Sequence, residues 1–179
     1  LMGKGSISDD HPYVLGMLGM HGRKRSNFAI AEADVILAIG CRFSDRITGN
    51  LAHFPCKSTT KIIHVDIDSA EIGKNVPVDV PIVADAKLAL SHFVAEAKKK
   101  IESGQKTQSW WYRYIKDLKE TSGIPNVTKP GPTGLIMPEK IMFELNKILD
   151  PDDIVATEVG QNQMYAAHYL NIRKSRKWI

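Results

Sequence analysis

Short runs of branched apolar residues alternate with helical stretches along most of the chain. Four such runs contain no more than eight residues each, and each ends in glycine or aspartate: 35–40, 61–68, 80–85 and 153–160. Apolar runs of this length are typical of strands buried on both faces of a parallel sheet. The pattern therefore predicts an α/β fold in which helices cover both faces of a parallel sheet.

Apolar residues recur every three or four positions in the stretches between these runs, which predicts helices that pack one face on the sheet. The predicted helices are 27–33, 69–74 with Ser69 as its cap, 86–102, 109–120, one that begins at Pro138, and 161–170. Trp110, Tyr114 and Leu118 recur at every fourth position of one helix. We interpret this stripe as core or docking surface and not as a cofactor site.

Residues 121–137 are rich in glycine and proline, which predicts an interdomain linker. Residues 1–120 are expected to form an α/β domain that lacks its first strand. Residues 138–179 are expected to be the truncated beginning of a second domain, because one strand and two helices bury too little apolar surface to be stable alone. We therefore expect a piece of a longer polypeptide, with a small independent α/β protein as the alternative.

The composition is that of an ordinary globular protein, with 43% hydrophobic and 25% charged residues. No apolar run reaches the ~20 residues that a membrane span requires, so we expect no membrane partner and a cytoplasmic location. The two cysteines, Cys41 and Cys56, are expected to be free thiols. The net charge of +4 lies largely in the runs 98–100 and 173–177 without a nucleic-acid motif, so we expect no nucleic-acid partner.

Three of the predicted strands lead into loops with polar side chains, and ligands of parallel sheets bind at such strand ends. Asp66 is placed to accept hydrogen bonds from ribose hydroxyls, and Arg42 and Arg46 to neutralise a pyrophosphate. The alternatives are structural. Asp66 or Asp68 would cap the following helix, and Arg46 would only pair with Asp45.

Two further segments are candidates for ligand contacts. Gly16, Gly19 and Gly22 follow one another at every third position, which is not the dinucleotide fingerprint but allows close approach of the backbone to a flat ligand. Residues 160–162 begin a helix whose free amides would suit a diphosphate, with an ordinary strand-to-helix turn as the alternative. No catalytic set and no metal-ligand spacing can be assembled from the residues themselves.

Four segments in this order resemble the large catalytic subunits of acetolactate synthase. They are Met17-Leu-Gly-Met-His-Gly22, Arg42-Phe-Ser-Asp-Arg-Ile-Thr-Gly49, His64-Val-Asp-Ile-Asp-Ser-Ala-Glu-Ile-Gly-Lys-Asn75 and Val159-Gly-Gln-Asn-Gln-Met164. Two positions depart from the family pattern: Ser44 stands where many relatives have Asp, and Asn162 where His is common. Asn162 keeps hydrogen-bonding capacity but has no titratable ring.

The resemblance implies a middle domain that binds FAD, a linker and the start of a domain that binds thiamine diphosphate with Mg²⁺. The implied FAD contacts are Gly19, Met20, His21, Gly22, Arg42, Asp45, Arg46, Asp66, Ile67, Glu71, Asp85 and Ala86. The implied thiamine diphosphate contacts are Gly160, Gln161 and Asn162. The resemblance implies no catalytic residue and no metal ligand within the chain, which is expected to be inactive alone.

The implied reaction condenses two pyruvate molecules to 2-acetolactate with loss of CO₂, or pyruvate with 2-oxobutyrate to 2-aceto-2-hydroxybutyrate. This reaction belongs to the synthesis of branched-chain amino acids. The implied partners are further copies of the chain and a small regulatory subunit. The alternatives are another thiamine-diphosphate carboligase or decarboxylase, such as glyoxylate carboligase, and a non-catalytic flavin- or nucleotide-binding module.

Overall fold

The computed structural model describes residues 2–101, 110–122 and 134–179. The chain divides into two compact units. The sheet unit is Phe28–Trp111, and the terminal unit combines Leu1–Asn27 with Tyr112–Ile179. Residues 123–133 of the predicted linker lie outside the described residues, and the domain boundaries drawn from the sequence stay a prediction.

Three parallel strands form the sheet, in the order β1 (Val35–Ile39), β2 (Lys61–Asp66) and β3 (Val80–Val83). Three of the four apolar runs are therefore confirmed as parallel strands. Val35 pairs with Lys61 and Ile63 pairs with Val80, so the strands end at one edge. The α/β class predicted from the sequence is confirmed.

The core of the sheet unit lies against one face of these strands. Its buried residues are Ala33, Ile36, Ala38, Phe43, Ile62 and Val76. Along β1, Ile36 and Ala38 are buried, whereas Val35 and Leu37 point the other way and are about half exposed. Cys41 packs partly buried against this core, Cys56 is exposed, and both thiols are free, as predicted.

The six α-helices are α1 (Lys24–Glu32), α2 (Asp45–Thr48), α3 (Ala86–Lys100), α4 (Trp110–Thr121), α5 (Pro138–Ile148) and α6 (Gln161–Tyr169), counted over the described residues. A 3-10 turn covers Leu51–His53. Pro138 occupies the first turn of α5, where its missing N–H has no intrahelical acceptor to lose. None of the described helices has the length and apolar character that crossing a membrane would require.

Two predicted elements were wrong. Residues 69–74 form turns and not a helix. The side chain of Asp68 contributes to the first turn, because its Oδ1 accepts a hydrogen bond from Ala70 N at 2.9 Å. Ser69 is therefore not a helix cap. Residues 153–160 do not form a strand either, because their only pairing among the described residues is a single parallel bridge between Val155 and Trp178.

In the terminal unit, α5 packs on α6, and Asn146 fixes the chain that leaves α6. Its Nδ2 donates to Tyr169 O at 2.6 Å, and its Oδ1 accepts from Asn171 N at 2.8 Å. Asp9 makes a similar pair of contacts with Ile172: its N–H donates to Ile172 O at 3.0 Å, and its Oδ2 accepts from Ile172 N at 2.8 Å. These contacts tie the first residues of the chain to its last ones.

Candidate functional site

The loops that follow the three strands begin at the same edge of the sheet. Gly40 N donates to Val65 O at 2.8 Å, and Ala84 N donates to Asp66 O at 3.0 Å, so the first residue after β1 and the first after β3 are both bonded to the end of β2. Asp66, the last residue of β2, therefore lies near the loops that contain Arg42 and Asp85. This arrangement follows directly from the parallel register.

The loop after β1 is anchored by a buried aromatic side chain. Phe43 has a positive φ of 47°, which is rare for a bulky residue, and its ring is 4% exposed. The ring packs edge-on against His64, with centroids 5.1 Å apart, and Asn75 Nδ2 donates to Arg42 O at 2.9 Å. These contacts fix the backbone and leave the side chain of Arg42 exposed to solvent.

Asp45 and Arg46 begin α2 and are exposed. Asp45 Oδ1 accepts a hydrogen bond from the backbone N of Arg46 at 2.9 Å. Among the described residues no ion pair joins the Arg46 guanidinium to Asp45, so the structural alternative considered for Arg46 is not observed. Its charge remains available to an anion.

Asp66 and Asp68 each accept a hydrogen bond from a backbone N–H two residues on. Asp66 Oδ1 accepts from Asp68 N at 3.0 Å, as Asp68 does from Ala70. Neither caps a helix, because no helix follows them. The second carboxylate oxygen of Asp66 has no hydrogen bond within the described residues, and the neighbouring Ile67 is 72% exposed.

In the part of the chain that the structure describes, Glu71 has one carboxylate oxygen that is paired and one that is not. Its Oε1 accepts from Lys74 Nζ at 2.9 Å, whereas Oε2 is buried and has no donor among the described residues. A buried acceptor without a donor costs about 1–3 kcal/mol, so such an atom is a candidate for a ligand contact. Hydroxyl or amide donors of a ligand would satisfy it.

Asp85 is the N-cap of α3. Its Oδ1 accepts from Lys87 N at 2.9 Å and from Leu88 N at 3.1 Å, and Ala86 is the first residue of the helix. This contact occupies one carboxylate oxygen. The sequence did not reveal the cap, although Asp is among the residues that helix N-termini favour.

The glycine loop lies in the terminal unit, so the predicted FAD contacts are divided between the two units. Gly22 N donates to Gly19 O at 2.8 Å and closes a tight turn. A Cβ at Gly22 would lie 2.5 Å from the carbonyl carbon of Leu18, so only glycine fits. Met20 and His21 form the exposed tip.

Asn27 holds this turn in place, and no pattern in the sequence predicted this role. Gly19 N donates to Asn27 Oδ1 at 2.9 Å, and Asn27 Nδ2 donates to Gly19 O at 3.0 Å. No local motif marks a contact between residues so far apart in the chain. Asn75 was missed for the same reason.

Gly160, Gln161 and Asn162 are exposed at the start of α6. The first amides of a helix have no intrahelical acceptor and carry its partial positive charge, which fits a diphosphate. A Cβ at Gly160 would lie 2.8 Å from Asn162 Oδ1, so glycine lets this side chain fold back over the turn. The described residues contain no cluster of three or more histidine, cysteine, aspartate or glutamate side chains that could hold a metal ion.

Several basic side chains are gathered in the terminal unit. Burial lowers the pKa of Lys4, and burial followed by the charge of Arg23 lowers the pKa of Arg25 to about 10. Burial and then Arg23 also lower the pKa of His168. In the sheet unit, burial raises the pKa of the Cys41 thiol.

Comparison with known proteins gives one family. The family model for the central domain of thiamine pyrophosphate enzymes matches residues 1–93. All of the chain aligns at 45% identity with the probable acetolactate synthase large subunit of Methanococcus aeolicus, covering 31% of that protein. The whole chain is also 44% identical to the probable acetolactate synthase large subunit of Methanocaldococcus jannaschii and covers 30% of that protein. It is 41% identical to the acetolactate synthase large subunit of Cyanidium caldarium and covers 30% of that protein. The chain thus spans slightly under a third of the length of these relatives.

Proposed function

The chain belongs to the thiamine pyrophosphate enzyme family, and from this premise we propose that it forms part of an acetolactate synthase large subunit. The observation that carries the proposal is the alignment of the entire chain with proteins of that name at 41–45% identity. The proposed reaction condenses two pyruvate molecules to 2-acetolactate and CO₂, or pyruvate with 2-oxobutyrate to 2-aceto-2-hydroxybutyrate.

The proposed cofactors are thiamine diphosphate, Mg²⁺ and FAD. Bound thiamine diphosphate supplies the electron sink that decarboxylation of a 2-oxo acid requires. The residues of this chain are assigned to binding and orientation. The resemblance to acetolactate synthase implies no Mg²⁺ ligand within this chain, so the Mg²⁺ ligands are proposed to lie outside it.

The strand-end loops of the sheet unit support a role in FAD binding. Arg42 and Arg46 are exposed cations that would neutralise the pyrophosphate. Asp66 retains one unused carboxylate oxygen and Glu71 a buried one, and both would accept hydrogen bonds from hydroxyls of the cofactor. Asp45, Ile67, Asp85 and Ala86 complete the proposed contacts of this unit, and Gly19–Gly22 those of the terminal unit.

The start of α6 supports a role in binding the diphosphate of thiamine diphosphate. Its exposed backbone amides would donate to phosphate oxygens, and the side chains of Gln161 and Asn162 lie beside them. Backbone donors of this kind are insensitive to pH. The side-chain amide of Asn162 does not titrate either, whereas the ring of a histidine at this position would gain or lose a proton near neutral pH.

The organisation of the enzyme is also part of the proposal. Residues 1–120 would belong to the FAD-binding middle domain, 121–137 to a linker and 138–179 to the diphosphate-binding domain. The relatives are named large subunits, which supports a small regulatory partner and further copies of the chain. The proposed location is the cytoplasm.

The test is an assay of a polypeptide that contains this chain and has the length of its relatives. With pyruvate, thiamine diphosphate, Mg²⁺ and FAD we expect 2-acetolactate, and omission of FAD should lower the rate. A protein that released only acetaldehyde from pyruvate, or that consumed glyoxylate in its place, would overturn the proposal. Absence of flavin binding with Arg42 and Asp66 intact would overturn the assignment of the strand-end loops.

A further inference from the structure

The segment that follows the glycine loop supplies several of the hydrogen bonds that hold it. Arg23 N donates to Met17 O at 2.8 Å, and Ser26 Oγ and Arg25 Nε donate to Leu15 O at 2.9 and 2.7 Å. Ser26 is itself buried. Residues at the beginning of α1 therefore bind the backbone of the preceding loop.

Asn27 makes the most specific of these contacts. Its amide both accepts from Gly19 N and donates to Gly19 O, as a paired strand residue would. The two residues are eight positions apart, so this contact fixes the loop relative to the helix and not only within a local turn. We call these two hydrogen bonds the Asn27 clamp.

The Asn27 clamp binds Gly19, which is the first residue of the turn. Gly19 has a φ of 97°, and its carbonyl oxygen accepts from both Gly22 N and Asn27 Nδ2. Met20, which follows it directly, is 66% exposed. Asn27 therefore holds the backbone of Gly19, from which the Met20–His21 tip extends, through both its N–H and its carbonyl oxygen.

We propose that Asn27 is a positioning residue for the flavin, because its clamp on Gly19 aims the Met20–His21 tip at the cofactor. This inference rests on the proposed function, in which residues 19–22 contact FAD. Asn27 itself makes no contact with the flavin in this scheme. Its effect passes through the backbone of the turn.

The chain offers a matched control. Asn146 also donates and accepts one side-chain to backbone hydrogen bond each in the same unit, but its partners are two residues at the end of α6, Tyr169 and Asn171. Asn27→Ala and Asn146→Ala each delete two such bonds. A role limited to stability predicts similar behaviour of the two variants in every assay.

The experiment measures the FAD dissociation constant by quenching of flavin fluorescence, together with thermal unfolding of the flavin-free protein, in the polypeptide of full family length. We expect both alanine variants to lower the melting temperature. Only Asn27→Ala should weaken FAD binding, by about tenfold or more, and shift the visible spectrum of the bound flavin. Asn27→Asp, which keeps one acceptor but loses the donor, should give an intermediate loss.

Equal FAD affinity in the wild type, Asn27→Ala and Asn27→Asp would overturn the inference and leave the proposed function standing. Equal weakening by Asn27→Ala and Asn146→Ala would also overturn it, because it would show a general effect of stability. A wild-type protein that bound no FAD would overturn both this inference and the proposed flavin site, while acetolactate formation would still test the proposed reaction separately. If Asn27→Ala does not fold, the comparison of Asn27→Asp with Asn146→Asp decides the question in the same way.

Discussion

Replacing Gly22 with alanine should open the turn that presents Met20 and His21. The added Cβ would lie 2.5 Å from the carbonyl carbon of Leu18 and 2.6 Å from Gly19 N. Ordinary van der Waals contact begins near 3.4 Å, and both neighbours are backbone atoms that cannot rotate away. The turn must therefore move by roughly 1 Å, which is enough to break the hydrogen bond from Gly22 N to Gly19 O.

The magnitude follows from three effects. Steric overpacking costs about 1–3 kcal/mol, and the lost hydrogen bond about 0.5–1.5 kcal/mol. Replacing glycine restricts the unfolded chain and returns about 0.4–1 kcal/mol. We expect Gly22→Ala to lower the free energy of unfolding by about 0.5–4 kcal/mol.

Gly3 provides the control, because nothing lies within 4 Å of a Cβ built there. Denaturant unfolding of the two variants without cofactor, followed by flavin titration, separates the effects. Gly3→Ala should behave as wild type, and Gly22→Ala should lose both stability and flavin affinity. Equal unfolding free energies for the two variants would refute the steric reasoning.

Three other substitutions test separate parts of the site. Glu71→Ala should weaken FAD binding about tenfold in a flavin titration because it removes the unpartnered buried oxygen, whereas Lys74→Ala, which removes only its exposed ion-pair partner, should not. Asp85→Ala should lower stability by about 1 kcal/mol in denaturant unfolding through loss of the α3 cap; an unchanged midpoint would contradict this. Burial and Arg23 lower the folded-state pKa of His168 below its usual 6.5, so the unfolded chain takes up this proton first as the pH falls. The stability contribution of neutral His168 is therefore complete above about pH 6.5 and is lost below it, and His168→Gln should flatten the dependence of melting temperature on pH in that window.

The strands could be predicted because burial within a parallel sheet imposes a visible pattern on the sequence. The runs around Val35, Lys61 and Val80 carry that pattern and became β1, β2 and β3. The run 153–160 carries it too, but a strand needs a partner, and within the described residues it has only one bridge. The helix expected at 69–74 failed because the Asp68 side chain bonds a nearby backbone N–H and stabilises turns instead.

The site was less predictable than the sheet, for a physical reason. Arg42 and Asp66 could be named because strand ends are read from the same apolar runs that reveal the strands. Asn27 and Asn75 could not, because they bind backbone atoms eight and 33 residues away, and any backbone offers the same donors and acceptors. Such contacts leave no periodicity and no spacing rule in the sequence.

The two thiols differ in a way that makes the chain easy to label. Alkylating reagents attack the thiolate, and burial raises the pKa of Cys41, so this side chain stays protonated and shielded near neutral pH. Cys56 is open to solvent. A maleimide dye should therefore attach faster to Cys56 than to Cys41, and a short reaction would place most of the fluorescent reporter on Cys56 in the sheet unit.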